Sequence, residues 1–245
     1  MKIVASLRLK AKIFLSLTLV VILSGILICA RIVFRYPAID ASGPIKDKPT
    51  VIIDAGHGGI DGGTQAADGT LEKEINLAIA LKVNDYLVSM GYDTVLIRDT
   101  DTSIHDESAV TIREKKVSDL KNRLKIIETT DNAILVSIHQ NYFTQSKYSG
   151  AQVFYSGNNP ESETLARTIQ TNIADYIQTD NTREIKKSGS EIYLLNRATV
   201  PAVMVECGFL SNPDEARMLK DENYQQEMAF IIAISISDYI KTAEE

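Results

Sequence analysis

Thr50-Val-Ile-Ile-Asp-Ala-Gly-His-Gly-Gly-Ile-Asp-Gly-Gly-Thr64 is the stretch around which the chain is organised. Its four β-branched residues at 50–53 predict a buried parallel strand. Residues 56–63, which we call the glycine turn, contain five glycines and end that strand abruptly. Open α/β sheets build their sites where strands end, and small neighbours let a ligand or metal approach His57 closely. A dinucleotide fingerprint is excluded because Asp61 stands where G-x-G-x-x-G requires its third glycine. The stretch therefore predicts a metal-site loop rather than a phosphate-binding loop.

The first 36 residues differ in composition from the rest of the chain. They hold six Lys or Arg and no acidic residue, and an uncharged run of 18 residues extends from Ile13 to Ala30. As a helix this run is about 27 Å long, just enough to span a bilayer. Residues 1–36 therefore predict a signal anchor or a signal peptide. Because no small-residue cleavage site follows the run, we favour an uncleaved anchor with a cytoplasmic N-terminus and an exported remainder.

The remainder of the chain is acidic. Outside residues 1–36 there are 20 basic and 32 acidic residues, a formal charge of −12, which argues against a nucleic-acid partner. Residues 37–48 contain Pro, Gly and Ser and predict a linker, so that residues 49–245 form one folded domain. Cys207 is the only cysteine of that domain, which excludes an internal disulfide, and we interpret it as a small packing residue.

Strand and helix patterns alternate along residues 49–245. This alternation predicts an α/β fold, a single domain with a mostly parallel sheet flanked by helices. The predicted strands cover residues 50–53, 92–98, 133–139, 151–155, 190–195 and 200–205. The predicted helices cover residues 71–90 with Thr70 as N-cap, residues 112–129, residues 160–177, a segment beginning near residue 211, and residues 222–241.

Three of the predicted strands end in residues that bind metals or move protons, namely His57, His139 and Glu206. The carboxyl ends of parallel strands share one edge of a sheet, so these groups are expected to converge. Glu72 lies just after the glycine turn and is expected at the same edge. Two histidines and one carboxylate with an open fourth position form a catalytic zinc set, and a further free carboxylate serves as proton acceptor.

Each of these residues also has a purely structural interpretation. Glu72 near a helix N-terminus complements the helix dipole, and neighbouring Glu74 is an equal candidate for the ligand role. His139 is alternatively a histidine at the edge of the core that bonds the backbone. Asp54 either orients His57 or bonds the backbone of the turn. The third histidine, His105, is interpreted as a solvated loop residue.

Four motifs occur in order along the chain: Val51-Ile-Ile-Asp-Ala-Gly-His-Gly-Gly-Ile-Asp-Gly-Gly63, Leu71-Glu-Lys-Glu-Ile-Asn-Leu77, Ser137-Ile-His-Gln-Asn141 and Val205-Glu-Cys-Gly-Phe-Leu-Ser-Asn-Pro213. Together they resemble the signatures of the zinc-dependent N-acetylmuramoyl-L-alanine amidases, the type 3 amidase family, over about residues 49–240. The resemblance implies hydrolysis of peptidoglycan and one zinc ion per chain, held by His57, Glu72 and His139. It also implies that Glu206 is the catalytic carboxylate. Glu72 is favoured over Glu74 by this resemblance alone.

Two residues adjoin the implied ligand His139. Asn141 belongs to the Ser-Ile-His-x-Asn motif, whereas Gln140 stands where the family often has a small or apolar residue. Together with Asp54, they are candidates for supporting the ligands or contacting the substrate. Gln140 therefore predicts an altered substrate fit or metal affinity.

A narrower resemblance concerns the sporulation, or germination-specific, amidases of endospore formers. It rests on Lys147-Tyr-Ser-Gly-Ala-Gln-Val-Phe-Tyr155, Ser190-Glu-Ile-Tyr-Leu-Leu195 and Glu222-Asn-Tyr-Gln-Gln226. Such enzymes carry an N-terminal membrane segment and remove the stem peptide from muramic acid in spore cortex, after which a separate deacetylase allows muramic-δ-lactam to form. The resemblance implies an enzyme that faces the cell wall or the forespore intermembrane space.

A different class of function also has to be considered. The chain is alternatively a wall-binding or regulatory protein on an amidase scaffold, inactive or active only with an activator protein, or else a vegetative cell-wall amidase. The family offers precedent for activator-gated amidases. The polar segments at residues 100–110 and 179–189 are where such control is expected.

Overall fold

A six-stranded sheet lies at the centre of the part of the chain that the structure, a computed structural model, describes, which is residues 48–243. Its strands are β1 (Thr50–Ala55), β2 (Thr94–Leu96), β3 (Ala133–Asn141), β4 (Gln152–Tyr155), β5 (Lys186–Lys187) and β6 (Ala202–Phe209). The helices are α1 (Glu72–Ser89), α2 (Ile112–Thr129), α3 (Glu161–Tyr176), α4 (Tyr193–Arg197), α5 (Pro213–Lys220) and α6 (Glu222–Ala243).

The strands are arranged in the order β2-β1-β3-β6-β4-β5. The four strands β2, β1, β3 and β6 are parallel to one another, β4 runs antiparallel to β6, and β5 is parallel to β4. The prediction of a mostly parallel sheet flanked by helices is therefore confirmed. Because β1, β3 and β6 are parallel neighbours, their carboxyl ends meet at one edge of the sheet.

Each face of the sheet is covered by its own group of helices. On one face, Val51, Ile53 and Val136 pack in a core with residues of α1, α3 and α6. On the other face, Ile52 and Leu135 pack with residues of α2 and α4. Since strand residues alternate between faces, the continuous apolar runs of β1 and β3 supply both cores at once.

Three local predictions are wrong. Thr70 is not the N-cap of α1; Leu71 occupies that position and provides no side-chain cap. The glycine turn replaces the missing cap, because the Glu72 and Lys73 amides donate to the carbonyls of Thr64 and Gly62 at 2.9 and 3.2 Å. This arrangement fixes Glu72 at the first turn of the helix.

The second wrong prediction is the strand at residues 190–195, where helix α4 forms instead. A short apolar run cannot distinguish a strand from a buried helical turn by its periodicity alone. Here Ser156 and Asn158 donate to the carbonyls of Leu195 and Ala198, and these bonds stabilise the turn of helix. Strand β6 also continues three residues beyond Glu206, to Phe209, so Glu206 lies inside a strand rather than at its end.

The predicted signal anchor at residues 1–36 lies outside the described residues, as does the predicted linker except for Lys48. Between residues 48 and 243, none of the helices combines the length and the apolar character that crossing a membrane requires.

Candidate active site

Strand register places polar residues side by side on one face of the sheet. His139 of β3 is opposite Glu206 of β6, and Glu206 is opposite Gln152 of β4. Residues that are directly opposite each other point to the same face. Asp54 and Ser137 form a second pair on that face, two residues earlier along β3. The register therefore sets a row of polar side chains at the carboxyl edge of the sheet, on the face covered by α2 and α4.

Glu72 lies between two histidines. Its Oε2 is 3.2 Å from His57 Nε2, and its Oε1 is 3.0 Å from His139 Nδ1. One ligand atom from each of the three residues lies within 4.8 Å of the others, which is close enough for a single metal ion. Glu74 is exposed on α1. Of the two candidate glutamates, the structure thus brings Glu72 to the histidines.

The electrostatic interactions within this cluster favour the ionised form of Glu72 and the protonated form of His57. Burial raises the pKa of Glu72, but hydrogen bonds from His139 and His57 outweigh it and hold the pKa well below its usual range. Burial lowers the pKa of His57, yet Asp61 and Glu72 together raise it to about 9. At neutral pH the protein alone therefore holds His57 protonated beside an ionised Glu72.

Glycines let the cluster form. A Cβ on Gly56 would lie 2.3 Å from the His139 ring, and one on Gly63 would lie 2.5 Å from Glu72 Oε2. His57 itself has φ 63°, in the left-handed region that residues other than glycine seldom adopt. Backbone strain of this kind persists where the surrounding structure over-determines the conformation, as it does at functional sites.

Asp61 orients His57, a role that the sequence reasoning did not assign. Its Oδ2 lies 3.0 Å from His57 Nδ1, and its Oδ1 lies 2.8 Å from Lys116 Nζ on α2. The second ring nitrogen of His57 is thereby left for Glu72 or a metal. The signal in the sequence is an acidic residue four positions after a histidine in one tight turn.

Asp54 occupies a different position from the two that the sequence suggested. In the described part of the chain its carboxylate accepts from Arg123 at 2.5 Å and from Ser137 at 2.6 Å, rather than from the His57 ring or the amides of the turn. Arg123 also donates to the His57 carbonyl at 2.6 Å. Asp54 therefore supports His57 indirectly, through a buried guanidinium that the sequence reasoning missed.

A second buried arginine also supports the glycine turn. Arg98 donates to the Ala55 carbonyl at 2.8 Å, to the Gly56 carbonyl at 3.0 Å and to the Lys73 carbonyl at 2.9 Å. It therefore connects the end of β1 with the first turn of α1. Its position at the end of a short strand gives no sign of this in the sequence.

Gln140 supports Glu72 both directly and through Asn76. Its backbone amide donates to Glu72 Oε1 at 3.0 Å, and its side chain donates to Asn76, which in turn donates to Glu72 Oε1 at 3.2 Å. Because Gln140 is 3 % exposed, its side chain has no access to a substrate. Asn141 is partly buried at the end of β3, where its carbonyl accepts from the Leu210 amide at 2.8 Å.

Glu206 is partly buried in the same cleft, which has a volume of about 340 Å³ and is also lined by His57 and His139. Its Oε2 has no hydrogen-bond partner within residues 48–243. Burial and the charge of Glu72 raise the pKa of Glu206 to about 7, against the lowering effect of His139. A carboxylate with such a pKa exchanges protons readily at neutral pH.

The two remaining candidates lie outside the cluster. Cys207 is fully buried in the core, as predicted, and burial raises the pKa of its thiol. His105 is partly buried rather than fully solvated, and its Nδ1 lies 2.8 Å from Ser103 Oγ. Ser103 in turn donates to Asp119, so His105 belongs to the network that holds this loop on α2.

Comparison with known proteins gives a consistent result. The family model described as N-acetylmuramoyl-L-alanine amidase matches residues 51–238. The germination-specific N-acetylmuramoyl-L-alanine amidase of Bacillus subtilis is 36% identical over 196 residues, which are 80% of this chain and 81% of that protein. The N-acetylmuramoyl-L-alanine amidase AmiA of Escherichia coli is 30% identical over 234 residues, covering 78% of this chain and 76% of that protein.

Among solved structures, the CwlD amidase from Clostridioides difficile, in complex with the GerS lipoprotein, is similar with a TM-score of 0.77 and 43% identity. The match covers 80% of this chain and 100% of that chain. Residues 51–238, which the family model matches, contain the row of polar residues, the glycine turn and the cluster around Glu72. The chain belongs to the N-acetylmuramoyl-L-alanine amidase family.

Proposed function

We propose that this protein is a zinc-dependent amidase that hydrolyses the bond between N-acetylmuramic acid and the L-alanine of peptidoglycan stem peptides. In this proposal one zinc ion is held by His57, Glu72 and His139, and Glu206 is the catalytic carboxylate. The observation that carries it is the convergence of these three ligand-type residues within 4.8 Å, beside a carboxylate oxygen of Glu206 that has no hydrogen-bond partner in the described part of the chain.

The described residues fit a catalytic zinc ion. Two imidazoles and one carboxylate are a donor set that leaves a fourth position open. Glycines at positions 56 and 63 leave room where a Cβ would strike a ligand side chain. Two of the proposed ligands have the supporting contacts that zinc ligands need, since Asp61 contacts the His57 ring and the Gln140 amide donates to Glu72.

The residues of this chain divide the chemistry between them. When bound, zinc polarises a carbonyl oxygen and lowers the pKa of a water to about 7. Glu206 takes the proton from the attacking water, because it lines the same cleft as His57 and His139 and its Oε2 has no hydrogen-bond partner among residues 48–243. It then returns that proton to the leaving nitrogen of the L-alanine, so that the peptide departs as a neutral amine. The cleft beside α4 holds the substrate.

We place the reaction in spore cortex, as the step before a deacetylase allows muramic-δ-lactam to form. The similarity to the germination-specific amidase of Bacillus subtilis supports this placement. In the same proposal, residues 1–36 anchor the protein in a membrane, residues 37–48 are a linker, and residues 49–245 are the catalytic domain facing the wall or the forespore intermembrane space. The alternative of a vegetative cell-wall amidase is supported by the similarity to AmiA.

A second candidate function is an amidase that requires a partner. The CwlD amidase was solved in complex with a lipoprotein, which supports a regulatory protein as a partner of this chain too. An inactive wall-binding module has less support, because all four residues of the proposed machinery are present and converge.

The test uses the full chain purified in detergent, with zinc content and release of stem peptide from purified peptidoglycan measured on the same sample. We expect one zinc per chain and cleavage. Glu206→Gln should keep zinc and lose about 10²–10⁴-fold in rate, whereas Glu128→Gln, an exposed glutamate on α2, should behave as wild type. Normal turnover by Glu206→Gln would refute the assigned role. A folded wild type with little zinc and no cleavage would favour the partner-dependent alternative.

A further inference from the structure

Arg183 extends the row of His139, Glu206 and Gln152 beyond the edge of the proposed catalytic machinery. Its guanidinium donates to Gln152 Oε1, and Gln152 is directly opposite Glu206 in the sheet. Strands in a sheet are about 4.8 Å apart, so the guanidinium lies roughly one to two strand spacings from the Glu206 side chain. No element of the proposed reaction uses this cation.

The surroundings hold Arg183 in one orientation. Its guanidinium carbon is 4.9 Å from the centroid of the Phe209 ring, over which it lies as a cation–π pair. Its backbone amide donates to Asn181 Oδ1 at 2.9 Å. Gly150 approaches so closely that a Cβ there would be 3.3 Å from Arg183 Cδ. The side chain is therefore pre-positioned rather than free to turn into solvent.

Its hydrogen-bonding capacity is nevertheless incompletely used. Within residues 48–243 Arg183 forms no ion pair, and its buried Nε has no hydrogen-bond partner. Glu215 is close enough to interact electrostatically, but its carboxylate accepts from the Gly150 and Phe209 amides at 2.9 and 2.8 Å. A partly buried charge that forms no ion pair is unfavourable unless a ligand supplies the counter-charge.

We infer that Arg183 binds a free carboxylate of the leaving stem peptide and so determines which peptides the enzyme accepts. This inference rests on the proposed amidase function. The acyl side of the scissile amide is a neutral sugar, whereas the residue that follows L-alanine in a stem peptide is acidic and carries a free carboxylate. Two extended residues span about 7 Å, which falls within the one to two strand spacings, roughly 5–10 Å, that the sheet geometry places between Glu206 and the guanidinium. The planar fork of arginine suits a carboxylate, since it donates two parallel hydrogen bonds.

Two other roles must be separated from this one. If Arg183 only stacks on Phe209, its loss changes stability and affects all substrates alike. If Arg183 only acts on Glu206 through its charge, its loss shifts the pH profile, again for all substrates alike. Only carboxylate binding predicts a loss that depends on the charge of the peptide.

The experiment compares two soluble muropeptides that differ only in whether the carboxylate next to L-alanine is free or amidated. Wild type, Arg183→Gln, Arg183→Lys and the control Arg167→Gln, an exposed arginine of α3, are assayed as full chains over a range of pH. We expect wild type and the control to prefer the free acid about tenfold to a hundredfold in kcat/KM, the range for a hydrogen bond to a charged group. Arg183→Gln should lose this preference, chiefly through KM, and should cleave the amidated peptide nearly as well as wild type. Arg183→Lys should retain part of it.

Equal cleavage of both peptides by wild type would overturn the inference without any variant having to fold. An equal loss on both peptides in Arg183→Gln, with or without a shifted pH profile, would overturn it as well. Cleavage of neither peptide by zinc-loaded wild type would instead refute the proposed function, and the inference with it.

Discussion

Arg123 on α2 and Asp54 at the end of β1 form a buried ion pair, with Nη1 and Oδ1 2.5 Å apart. The same guanidinium donates to Asp119 at 2.6 Å and to the carbonyls of Ala55 and His57 at 3.0 and 2.6 Å. The Arg123 side chain thus donates hydrogen bonds to groups at the end of β1, in the glycine turn and on its own helix. The left-handed conformation of His57 is held in place by this contact.

The first prediction follows from that contact. Arg123→Gln should lower the free energy of unfolding by about 3–5 kcal/mol, because it leaves the buried Asp54 carboxylate without its counter-charge. Urea unfolding of the full chain measures the change. The control Arg167→Gln removes an exposed ion pair with Glu163 and should lower it by less than about 1 kcal/mol. Equal effects of the two variants would contradict a supporting role for Arg123.

The sequence predicts a feature when the residues that determine it lie within one segment or at the ends of parallel strands. It does not predict hydrogen-bond partners that lie far apart in the chain. The β-branched run at 50–53 is a strand because its pattern is complete within itself, and the convergence of His57 and His139 follows from strand ends sharing an edge. Arg123 and Arg98 could not be predicted, because the carbonyls of Ala55, Gly56 and His57 that they satisfy lie 42 or more positions away in the chain. Asp54 was misjudged for the same reason, since its true partner is on a helix far along the sequence. The helix at residues 193–197 depends on Ser156 and Asn158, which no local pattern reveals.

The second prediction compares two glycines with similar backbone conformations. Gly63 and Gly91 have φ of 69° and 78°, so alanine is strained at both. At Gly91 a Cβ meets nothing within 4 Å, whereas at Gly63 it meets Glu72 and His57. We expect Gly63→Ala to lose zinc binding, and Gly91→Ala to keep it while losing about 1 kcal/mol of stability. Zinc titration and thermal unfolding distinguish these results, and full zinc affinity in Gly63→Ala would argue against the proposed ligands.

The third prediction concerns proton release on zinc binding. The pKa of His57 in the metal-free protein is about 9, so zinc must displace a proton from it at neutral pH. The apparent zinc affinity should therefore rise by about tenfold or more for each pH unit between pH 6 and 8. Isothermal titration calorimetry in buffers of different ionisation enthalpy measures both the affinity and the protons released. An affinity that does not change over this range would show that zinc binding displaces no proton from His57, and would contradict the combination of a raised pKa and a ligand role.

Asp61→Asn tests the cause of that pH dependence. The hydrogen bond with Asp61 is the largest single cause that raises the pKa of His57, so the variant should show a shallower rise of affinity with pH. At pH 8 it should bind zinc about tenfold to a hundredfold more weakly, because the imidazole loses the partner that orients it. The control Asp85→Asn, an exposed position on α1, should match wild type. A wild-type slope together with a wild-type affinity at pH 8 in Asp61→Asn would exclude Asp61 as the orienting residue.

The last prediction uses the free energy of unfolding to detect the raised pKa of Glu206. Burial is the main cause that raises its pKa from 4.5 to about 7, so between these values the folded protein binds more protons than the unfolded chain. Its contribution to stability therefore falls as pH rises from about 4.5 to about 7 and stays low above that.

Glu206→Gln removes the ionised form of this carboxylate. In the metal-free protein it should be nearly neutral at pH 5 and stabilising by on the order of 2 kcal/mol at pH 8. Urea unfolding at both pH values, after treatment with a chelator, measures the difference, and Glu128→Gln should show none. The difference in free energy of unfolding between Glu206→Gln and wild type could instead be the same at both pH values. That result would show that the pKa of Glu206 is not raised in the folded protein, contrary to what its proposed role as proton acceptor requires.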